Sequence, residues 1–478
     1  IAEQLQAMER QSRGKLTVRF HAPEARRGAV ARQIEDQWGF KPMVTALDDE
    51  REFFFYLTLA NGQQVVQLPT EDFDPGAFRA ILNAGLRRFA RGFTRTVALA
   101  LPPVNEQMAR QHLGAPTFVN LERAVGRDYN LRLEDLSDGS VVPEADILAV
   151  IAPLRLNDTA IFALDQFLMR GGTVILATSP FTAELSGGQL RMQPWDSGLQ
   201  AWLAHHGLSI DRSLVLDDKS ATFPTPILRR SQDLEFQDVQ MVPNPYVIDI
   251  RRRRKARDHP ITGPLPYLTM AFASPISVEH SGKLRILPLL RSSRSAWRSS
   301  ALEIMPVQET DGSLSFPDAD GPRQSAQIGL LVEGRFDSFF AGRPPPALSA
   351  DGRPVDPDHH TGRLSHSTES ARIVLYASND FMDDQILNAS VAASGTQYLG
   401  PLELFMNTLD WALQDEPLLD IRSQGNFNRT LPPMSAQNQS RLEYLNYALA
   451  VGWLLLLALG ARLVRSLRRR RYARGLGL

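Results

Sequence analysis

Residues 145–180 decide the fold class of this chain; they are ADILAVIAPLRLNDTAIFALDQFLMRGGTVILATSP. Two continuous apolar runs, 145–153 and 173–180, are typical of strands that are covered on both faces. Between them, Asn157 is placed as a helix N-cap and Gly171 as the residue that follows the helix end. A strand, a helix and a second strand joined by short connections predict a parallel sheet with helices on both sides.

The same alternation of strands and helices extends outward from this unit. It runs from residue 95 to about residue 216, and a further buried strand followed by a polar end is predicted at 371–381. Residues 216–340 are strand-rich and irregular instead, with the apolar pieces YVIDI, LRILPLL and QIGLLVEG between Pro, Gly and Ser clusters. We therefore expect an α/β domain over 94–421: a Rossmann-like parallel sheet flanked by helices, carrying a strand-rich insertion.

Five further segments complete the predicted organisation. Residues 1–93 form a small N-terminal α/β unit, with a hairpin at 53–69 that turns at Asn61-Gly62 and a helix at 74–90. The Pro/Gly-rich polar stretch 341–370 is predicted to be a flexible loop, and 422–443 a polar linker. The C-terminus consists of a transmembrane helix at 444–464 and a basic tail at 465–478.

The terminal helix indicates the topology of the chain. Residues 444–464 carry only one charge, Arg462, and a helix of that length spans about 30 Å, the thickness of a bilayer core. Arginine excess marks the cytoplasmic side, so we expect the tail in the cytoplasm and the bulk of the chain in the periplasm of a bacterial inner membrane. An exported domain of this kind leads us to expect an export signal or an earlier membrane segment before Ile1.

Charge and cysteine content narrow the functional classes. The whole chain has a net charge of −1, and residues 462–478 contribute seven arginines without an acid, so residues 1–461 carry −8. An acidic extramembrane part argues against nucleic acid as a partner. The absence of cysteine excludes disulfides, Cys-ligated metals and a Cys nucleophile.

Few residue patterns point to chemistry. Ser378, Asn379 and Asp380 end a predicted buried strand, where open α/β sheets place ligand sites, so they are candidate ligand or partner contacts. A structural role for Asp380, capping the next helix, is the competing interpretation. The basic run that begins with Arg251, Arg252, Arg253 and Arg254 is a second candidate contact, for lipid phosphates or an acidic partner subunit, or else a solvated edge.

Other patterns are better explained by structure. Gly171-Gly172 follows a helix and precedes a strand, the reverse of a phosphate loop, so a helix C-cap is expected. The pairs Asp217-Asp218 and Asp383-Asp384 are adjacent in sequence and favour turn or cap roles. We assign no catalytic, cofactor-binding or metal-ligating residue, and no Gly-x-x-x-x-Gly-Lys-Ser/Thr motif is present.

Several segments, in order along the chain, resemble the GldG-like, gliding-motility-type auxiliary components of ABC transporters. They lie at 160–180, 259–262 (HPIT), 273–278, 289–297 (LLRSSRSAW), 372–381 and 405–422 (FMNTLDWALQDEPLLDIR), and the last is the most specific. Ser179-Pro180 stands where the family often has Asp-Pro, and Ala377 where Gly or Asp is more usual. The first 90 residues match only loosely.

The resemblance implies a non-catalytic, membrane-anchored subunit with a periplasmic domain. Its partners would be an ABC permease and a cytoplasmic ATPase, in a transporter that is an exporter, and it would need no cofactor. Two alternatives remain open: an anchored glycan-acting hydrolase with Asp380 or Asp217 as the acid, and a structural scaffold of the envelope.

Overall fold

The structure is a computed structural model of the 478-residue chain. It describes residues 2–12, 14, 16–22, 30–32, 43–46, 49–53, 56–60, 65–68, 95–103, 116–186, 189–231, 234–251, 259–279, 284–309, 311, 313–343, 346, 364–394, 399–413 and 436–475. The chain divides into two compact units, Ile1–Gly425 and Asn426–Leu478, with the boundary inside the predicted linker 422–443.

The described elements are numbered in chain order. The helices are α1 (Ala2–Gln11), α2 (Val119–Asp128), α3 (Asp158–Met169), α4 (Gln200–His205), α5 (Asp384–Ser394), α6 (Gly400–Ala412) and α7 (Ala436–Gly475). The strands are β1 (Met43–Ala46), β2 (Asp49–Phe53), β3 (Leu57–Ala60), β4 (Val65–Leu68), β5 (Thr96–Ala100), β6 (Asn130–Glu134), β7 (Ile147–Ile151), β8 (Thr173–Ala177), β9 (Phe181–Ser186), β10 (Gln189–Pro194), β11 (Leu208–Ile210), β12 (Leu214–Leu216), β13 (Ser220–Ser231), β14 (Leu234–Arg251), β15 (Tyr267–Ala271), β16 (Ile276–Val278), β17 (Arg285–Arg291), β18 (Trp297–Ser299), β19 (Val307–Gln308), β20 (Leu314–Ser315), β21 (Gln327–Glu333) and β22 (Arg372–Tyr376).

The N-terminal region contains two antiparallel pairs, β1–β2 and β3–β4. The second pair confirms the predicted hairpin, with Leu57 opposite Leu68. Its Asn61-Gly62 turn and the predicted helix at 74–90 lie outside the described residues. The separation of 1–93 as a domain of its own stays a prediction.

A seven-stranded mixed sheet, in the order β17-β21-β22-β8-β7-β5-β6, forms the centre of the first unit. The five strands from β22 to β6 are parallel, and β21 and β17 extend the sheet antiparallel at one edge. In chain order the parallel strands follow 2-1-3-4-5, a doubly wound order that differs from the 3-2-1-4-5-6 order of the dinucleotide-binding fold. The α/β class with parallel strands is thus confirmed, whereas the Rossmann-like detail is not.

The sequence of residues 145–180 explains this local structure. Every residue of β5, β7 and β8 is buried, as their continuous apolar runs predict. Asn157 Oδ1 accepts the Ala160 backbone N–H at 2.9 Å and caps α3. At the other end, Gly171 N–H donates to Leu168 O and Gly172 N–H to Phe167 O, which closes the helix in a Schellman motif. The expected C-cap role of the Gly pair is confirmed.

Helices cover both faces of the sheet, as the alternating pattern predicts. On one face α2 and α6 pack on the strands, with Leu121 and Phe405 fully buried. On the other face α3 and α4 do so, with Leu164 and Trp202 fully buried. A third apolar cluster, around Phe272, lies in the strand-rich insertion.

The boundary of the strand-rich insertion differs from the prediction. LRILPLL and QIGLLVEG were expected within it, but they form β17 and β21 of the central sheet. The physical reason is burial: the five central residues of β21 are buried, and such a strand needs cover on both faces. The insertion itself contains a five-stranded sheet, β15-β14-β13-β19-β20, built on the long β13–β14 hairpin.

The second unit contains helix α7. Within the described part of the chain, it is the one helix long and apolar enough to cross a membrane, over Glu443–Arg462 with a mean hydropathy of 1.7. None of that stretch is buried against protein, and Trp453 and Leu454 are both 65% exposed. This fits a membrane anchor at the predicted position.

Candidate functional site

The sheet order places a crevice at the carboxyl ends of β5 and β7. The chain leaves β5 toward β6 on one side and later returns to β7 on the other, so the strand order reverses between β5 and β7. Open α/β sheets bind ligands at such switch points. A cavity of about 240 Å³ lies there. We call it the switch-point crevice; its lining residues are Ala100, Leu101, Pro103, Asp135, Ser137, Val150, Pro153, Leu154, Arg155, Leu156, Asn157 and Ala160.

The loop that follows β7 carries strained backbone at the crevice. Ala152 and Arg155 have φ values of 46° and 48°, and Leu136, after β6, has 60°. These are three of the four non-glycine residues with positive φ in the described part of the chain. Each such residue costs on the order of 1–3 kcal/mol and persists only where the surroundings determine it. The strain therefore collects at the edge of the sheet where a ligand site is expected.

A neighbouring segment holds this loop in place. The backbone N–H groups of Arg155 and Leu156 donate to the carbonyl oxygens of Asp196 and Ser197 at 2.7 and 3.1 Å. Trp195 Nε1 donates to Pro153 O at 2.8 Å. These three contacts fix the backbone from which Arg155 projects.

Opposite charges come from the two sides of β5. Arg155, after β7, is exposed; together with hydrogen bonds from Gly198 and Gln200, its positive charge lowers the pKa of the neighbouring Asp196. Asp135, after β6, accepts hydrogen bonds from Ser137 N at 2.9 Å and Ser137 Oγ at 2.8 Å. These bonds lower the pKa of Asp135, so its carboxylate is ionised at neutral pH. The crevice thus offers one cation and one anion over a largely apolar floor.

The lining of the crevice is suited to binding charged and apolar groups. Its hydroxyl, on Ser137, donates to the Asp135 carboxylate, and no His or Lys is among the described lining residues. Among the described residues, no group of three His, Asp or Glu side chains is placed to hold a metal ion. What the lining can do is recognise charge and cover a small apolar body.

The structure brings Ser378, Asn379 and Asp380 together but places them in the interior. All three are at most 1% exposed. Ser378 Oγ donates to Ala271 O at 2.7 Å. Asn379 Nδ2 donates to the carbonyl oxygens of Ser179 and Phe181 at 2.8 and 2.7 Å. These groups are occupied in joining β22 to the segment after β8 and to the insertion, which argues against direct contact with a ligand.

Asp380 is the least satisfied member of this cluster. Its Oδ1 accepts the Thr182 hydroxyl at 2.6 Å, and its Oδ2 has no hydrogen-bond partner within the described residues. Burial raises the pKa of Asp380 to about 8; the neighbouring Asp383 raises it further, whereas hydrogen bonds from Thr182 and the Ala183 backbone lower it. The predicted helix cap belongs to Asp383 instead, whose Oδ1 accepts the N–H groups of Gln385 and Ile386.

The other paired aspartates have the structural roles that were expected. Asp384 caps α2 from a distant part of the chain, since its carboxylate accepts the N–H groups of Val119 and Asn120 at 2.7 and 2.9 Å. Asp217 is fully buried and accepts the Ser293 N–H at 2.6 Å and the Ser293 hydroxyl at 2.5 Å. Neither Asp217 nor Asp380 lines the switch-point crevice, so the geometry does not favour the hydrolase alternative.

The basic run is described only at its first residue. Arg251 Nε pairs with Asp249 Oδ2 at 2.9 Å, and its guanidinium carbon lies 5.3 Å from the centre of the Tyr267 ring. Its charge is therefore partly neutralised by the protein itself. Arg252, Arg253 and Arg254 lie outside the described residues, and the predicted partner contact stays a prediction.

Three segments that carry the resemblance pack against one another. The His259 ring, in the HPIT turn, lies 5.1 Å from the Trp411 ring of α6. The Arg372 guanidinium, at the start of β22, lies 4.8 Å from the centre of that same ring. Asn407 Nδ2 donates to Ile261 O at 3.3 Å. These motif residues hold α6 on the sheet, so they are explained by packing rather than by a reaction.

The sequence did not reveal the residues of the crevice. Strands β6 and β7 were both predicted; Asp135 directly follows β6, and Arg155 lies four residues after the end of β7. The missing information was the strand order, because only the order shows that these two ends flank β5. The one sequence signal for these crevice residues was a charged residue shortly after the end of a predicted strand.

Comparison with known proteins gives a match over most of the α/β domain. A protein-family model described as "ABC-type uncharacterized transport system" matches residues 113–413, which is more than half of the chain. None of the curated proteins matches the chain.

The solved structures give only distant likenesses. The mmIFT52 N-terminal domain is 8% identical, with 69% of this chain and 99% of that chain covered and a TM-score of 0.34. A ThuA-like protein from Bacteroides uniformis is 10% identical, with 68% and 93% covered and a TM-score of 0.33. The exo-beta-1,4-mannosidase Op5Man5 from an Opitutaceae bacterium is 10% identical, with 71% and 39% covered and a TM-score of 0.25. At these scores none of the three carries an argument about this chain.

Proposed function

Because this chain belongs to the ABC-type uncharacterized transport system family, we propose that it is a non-catalytic, membrane-anchored auxiliary subunit of a bacterial ABC transporter. The observation that carries the proposal is the family match over residues 113–413. Helix α7 supports it, because an auxiliary subunit of a membrane transporter needs a means of staying beside its partners. We place the chain nearest to the GldG-like, gliding-motility-type members, on the segment 405–422.

The proposed partners are a permease and a cytoplasmic ATPase encoded by other chains. Since this sequence has no Gly-x-x-x-x-Gly-Lys-Ser/Thr motif, ATP hydrolysis is assigned to the separate ATPase. The α/β domain is proposed to lie in the periplasm and to receive or release the transported molecule, in an exporter. The seven arginines of 462–478 support a cytoplasmic C-terminus in the inner membrane.

The topology can be tested with single introduced cysteines, because these 478 residues contain none. We expect Gly321→Cys, at an open surface position, to react with a membrane-impermeant maleimide in intact spheroplasts. Gly475→Cys, at the end of α7, is expected to react only after the membrane is permeabilised. The cysteine-free parent is the control for labelling of other proteins. The reverse labelling pattern would contradict the proposed orientation.

The partners can be tested by affinity purification from native membranes in mild detergent. We expect an ABC permease and an ABC ATPase to be recovered with the tagged chain. The control is a variant that ends before α7, which should lose both partners if the anchor lies in the contact. Recovery of envelope proteins without either ABC subunit would favour the scaffold alternative and refute the transporter assignment.

A further inference from the structure

We propose that the switch-point crevice binds a small zwitterion, whose anionic group contacts Arg155 and whose ammonium group contacts Asp135. The inference deepens the proposed function, and it rests on that function only in treating the zwitterion as transported cargo. It is argued from the size of the cavity, its position, its charges and its floor.

The volume of the crevice limits the ligand to a small molecule. About 240 Å³ lies below the roughly 300–1,000 Å³ of pockets that enclose drug-sized ligands. A molecule of amino-acid size fits this volume, so the crevice is suited to a small metabolite.

The two charges lie on opposite sides of one strand. Arg155 follows β7 and Asp135 follows β6, and these strands flank β5. Asp135 directly follows β6, whereas Arg155 lies four residues beyond the end of β7, so the two charges come from separate loops on either side of β5. A ligand that satisfies both charges must carry its own two charges on separate groups joined by a short chain. An ω-amino acid has this form.

The floor of the crevice suits the middle of such a ligand. Leu101, Val150 and Leu154 contribute apolar surface between the charged walls. A methylene chain lying across them loses contact with water, which favours binding. A polyhydroxylated molecule of the same length would lose hydrogen bonds to water there without replacement.

The charged groups are prepared for this role by their local structure. The backbone of Arg155 is fixed by its N–H bond to Asp196 O at 2.7 Å, despite its φ of 48°. The carboxylate of Asp135 is held by two hydrogen bonds from Ser137. The backbone at both charged residues is thus ordered before a ligand binds.

Four compounds and four variants test the inference on the full chain in detergent micelles. The compounds are 6-aminohexanoate, hexanoate, hexylamine and leucine, and binding is measured by isothermal titration calorimetry. The variants are Arg155→Gln, Asp135→Asn, the double variant of both, and Arg294→Gln as a control at an exposed arginine outside the crevice. The double variant measures the heat of compound partitioning into the micelles, and this heat is subtracted from every titration.

We expect saturable binding of 6-aminohexanoate that is at least tenfold tighter than that of hexanoate or hexylamine. In Arg155→Gln, 6-aminohexanoate should bind no more tightly than hexylamine. In Asp135→Asn, it should bind no more tightly than hexanoate. Arg294→Gln should change neither difference in affinity. Equal binding of 6-aminohexanoate and hexanoate, or binding unaffected by Arg155→Gln, would overturn the inference. Tighter binding of leucine than of 6-aminohexanoate would contradict the inference that the ligand carries its two charges on separate ends of a short chain.

The same variants distinguish this inference from the proposed function. Arg155→Gln is expected to recover the ABC permease and ATPase as the unchanged chain does, because the crevice is assigned to the ligand and not to these partners. Recovery of both partners without charge-dependent ligand binding would overturn the inference alone. Ligand binding without either ABC partner would keep the inference and remove the transporter assignment.

Discussion

The substitution Asp380→Asn tests whether the polar cluster at the end of β22 holds a neutral carboxyl. Asp380 is 1% exposed, and one of its oxygens has no hydrogen-bond partner within the described residues. Asparagine keeps the shape and the acceptor for the Thr182 hydroxyl, which lies 2.6 Å from Oδ1. It removes the charge that the wild-type residue must give up on folding. We therefore expect the variant to be more stable than the wild type at neutral pH.

The magnitude follows from the pKa of Asp380, which burial raises from 3.8 to about 8. At pH 7 the unfolded carboxyl is ionised and the folded one is mostly neutral. Taking up the proton costs about 1.4 kcal/mol per pH unit above 3.8, or about 4 kcal/mol at pH 7. The amide of asparagine brings an N–H group without an assigned partner, which costs about 1–3 kcal/mol. The net expected gain is about 1–3 kcal/mol.

The dependence on pH is the sharper signature. A carboxyl with a raised pKa adds stability that is complete below 3.8 and is lost as the pH rises to about 8. Asp383, with a pKa raised to about 6 by burial, contributes to the same loss only below pH 6. Burial lowers the pKa of His206 and His259 to about 3 and about 4. These two histidines therefore make the folded state more stable as the pH rises toward 6.5, the pKa of the unfolded side chain, and their contribution stays constant above that pH. Between pH 6.5 and 8 the effect of Asp380 therefore stands out from these three groups.

The assay is urea unfolding of the full chain in detergent, followed by tryptophan fluorescence at pH 6.5, 7, 7.5 and 8. Relative to Asp380→Asn, the wild type is expected to lose about 1.4 kcal/mol per pH unit near pH 6.5 and about half of that per unit near pH 8. Asp318→Asn, at an exposed position, is the matched control and should follow the wild type. An equal slope in the wild type and Asp380→Asn would refute the assignment of a neutral buried carboxyl.

Two further predictions concern the elements that flank the site. Gly172→Ala would place a methyl group 2.4 Å from the Phe167 ring, and we expect the free energy of unfolding in urea to fall by about 1–3 kcal/mol. The control Gly321→Ala, whose new methyl group would have no atom within 4 Å, should lose less than about 0.5 kcal/mol. Equal stabilities of the two variants would contradict the close packing at Gly172. Asp384→Ala removes the cap of α2, and we expect a loss of about 1–2 kcal/mol together with faster amide exchange in the first turn of that helix. Unchanged exchange there would show that the cap contributes nothing.

Local signals predicted the local structure well. The apolar runs of β7 and β8, the Asn157 cap and the closing Gly pair of α3 are all confirmed, because each depends on residues close together in the sequence. The position of the stretch of α7 that is long and apolar enough to cross a membrane could be predicted for the same reason. The placement of β17 and β21 could not, since their partners are chosen by burial in the folded sheet and not by neighbouring residues.

The carboxyl edge of the sheet explains why the predicted contact and the observed crevice lie apart. Over β8 and β22 the edge is closed by the insertion: Ser378 bonds to Ala271 O, Ser274 N–H to Ala377 O, and the Ser179 and Ser274 hydroxyls to each other at 2.9 Å. A polar strand end that looks like a ligand site in the sequence becomes a joint between two sheets. The insertion strands make no such bonds over β5 and β7 in the described residues, where the reversal of strand order leaves a cavity. The insertion therefore closes the part of this edge over β8 and β22, and the switch point is the part that the proposed ligand would use.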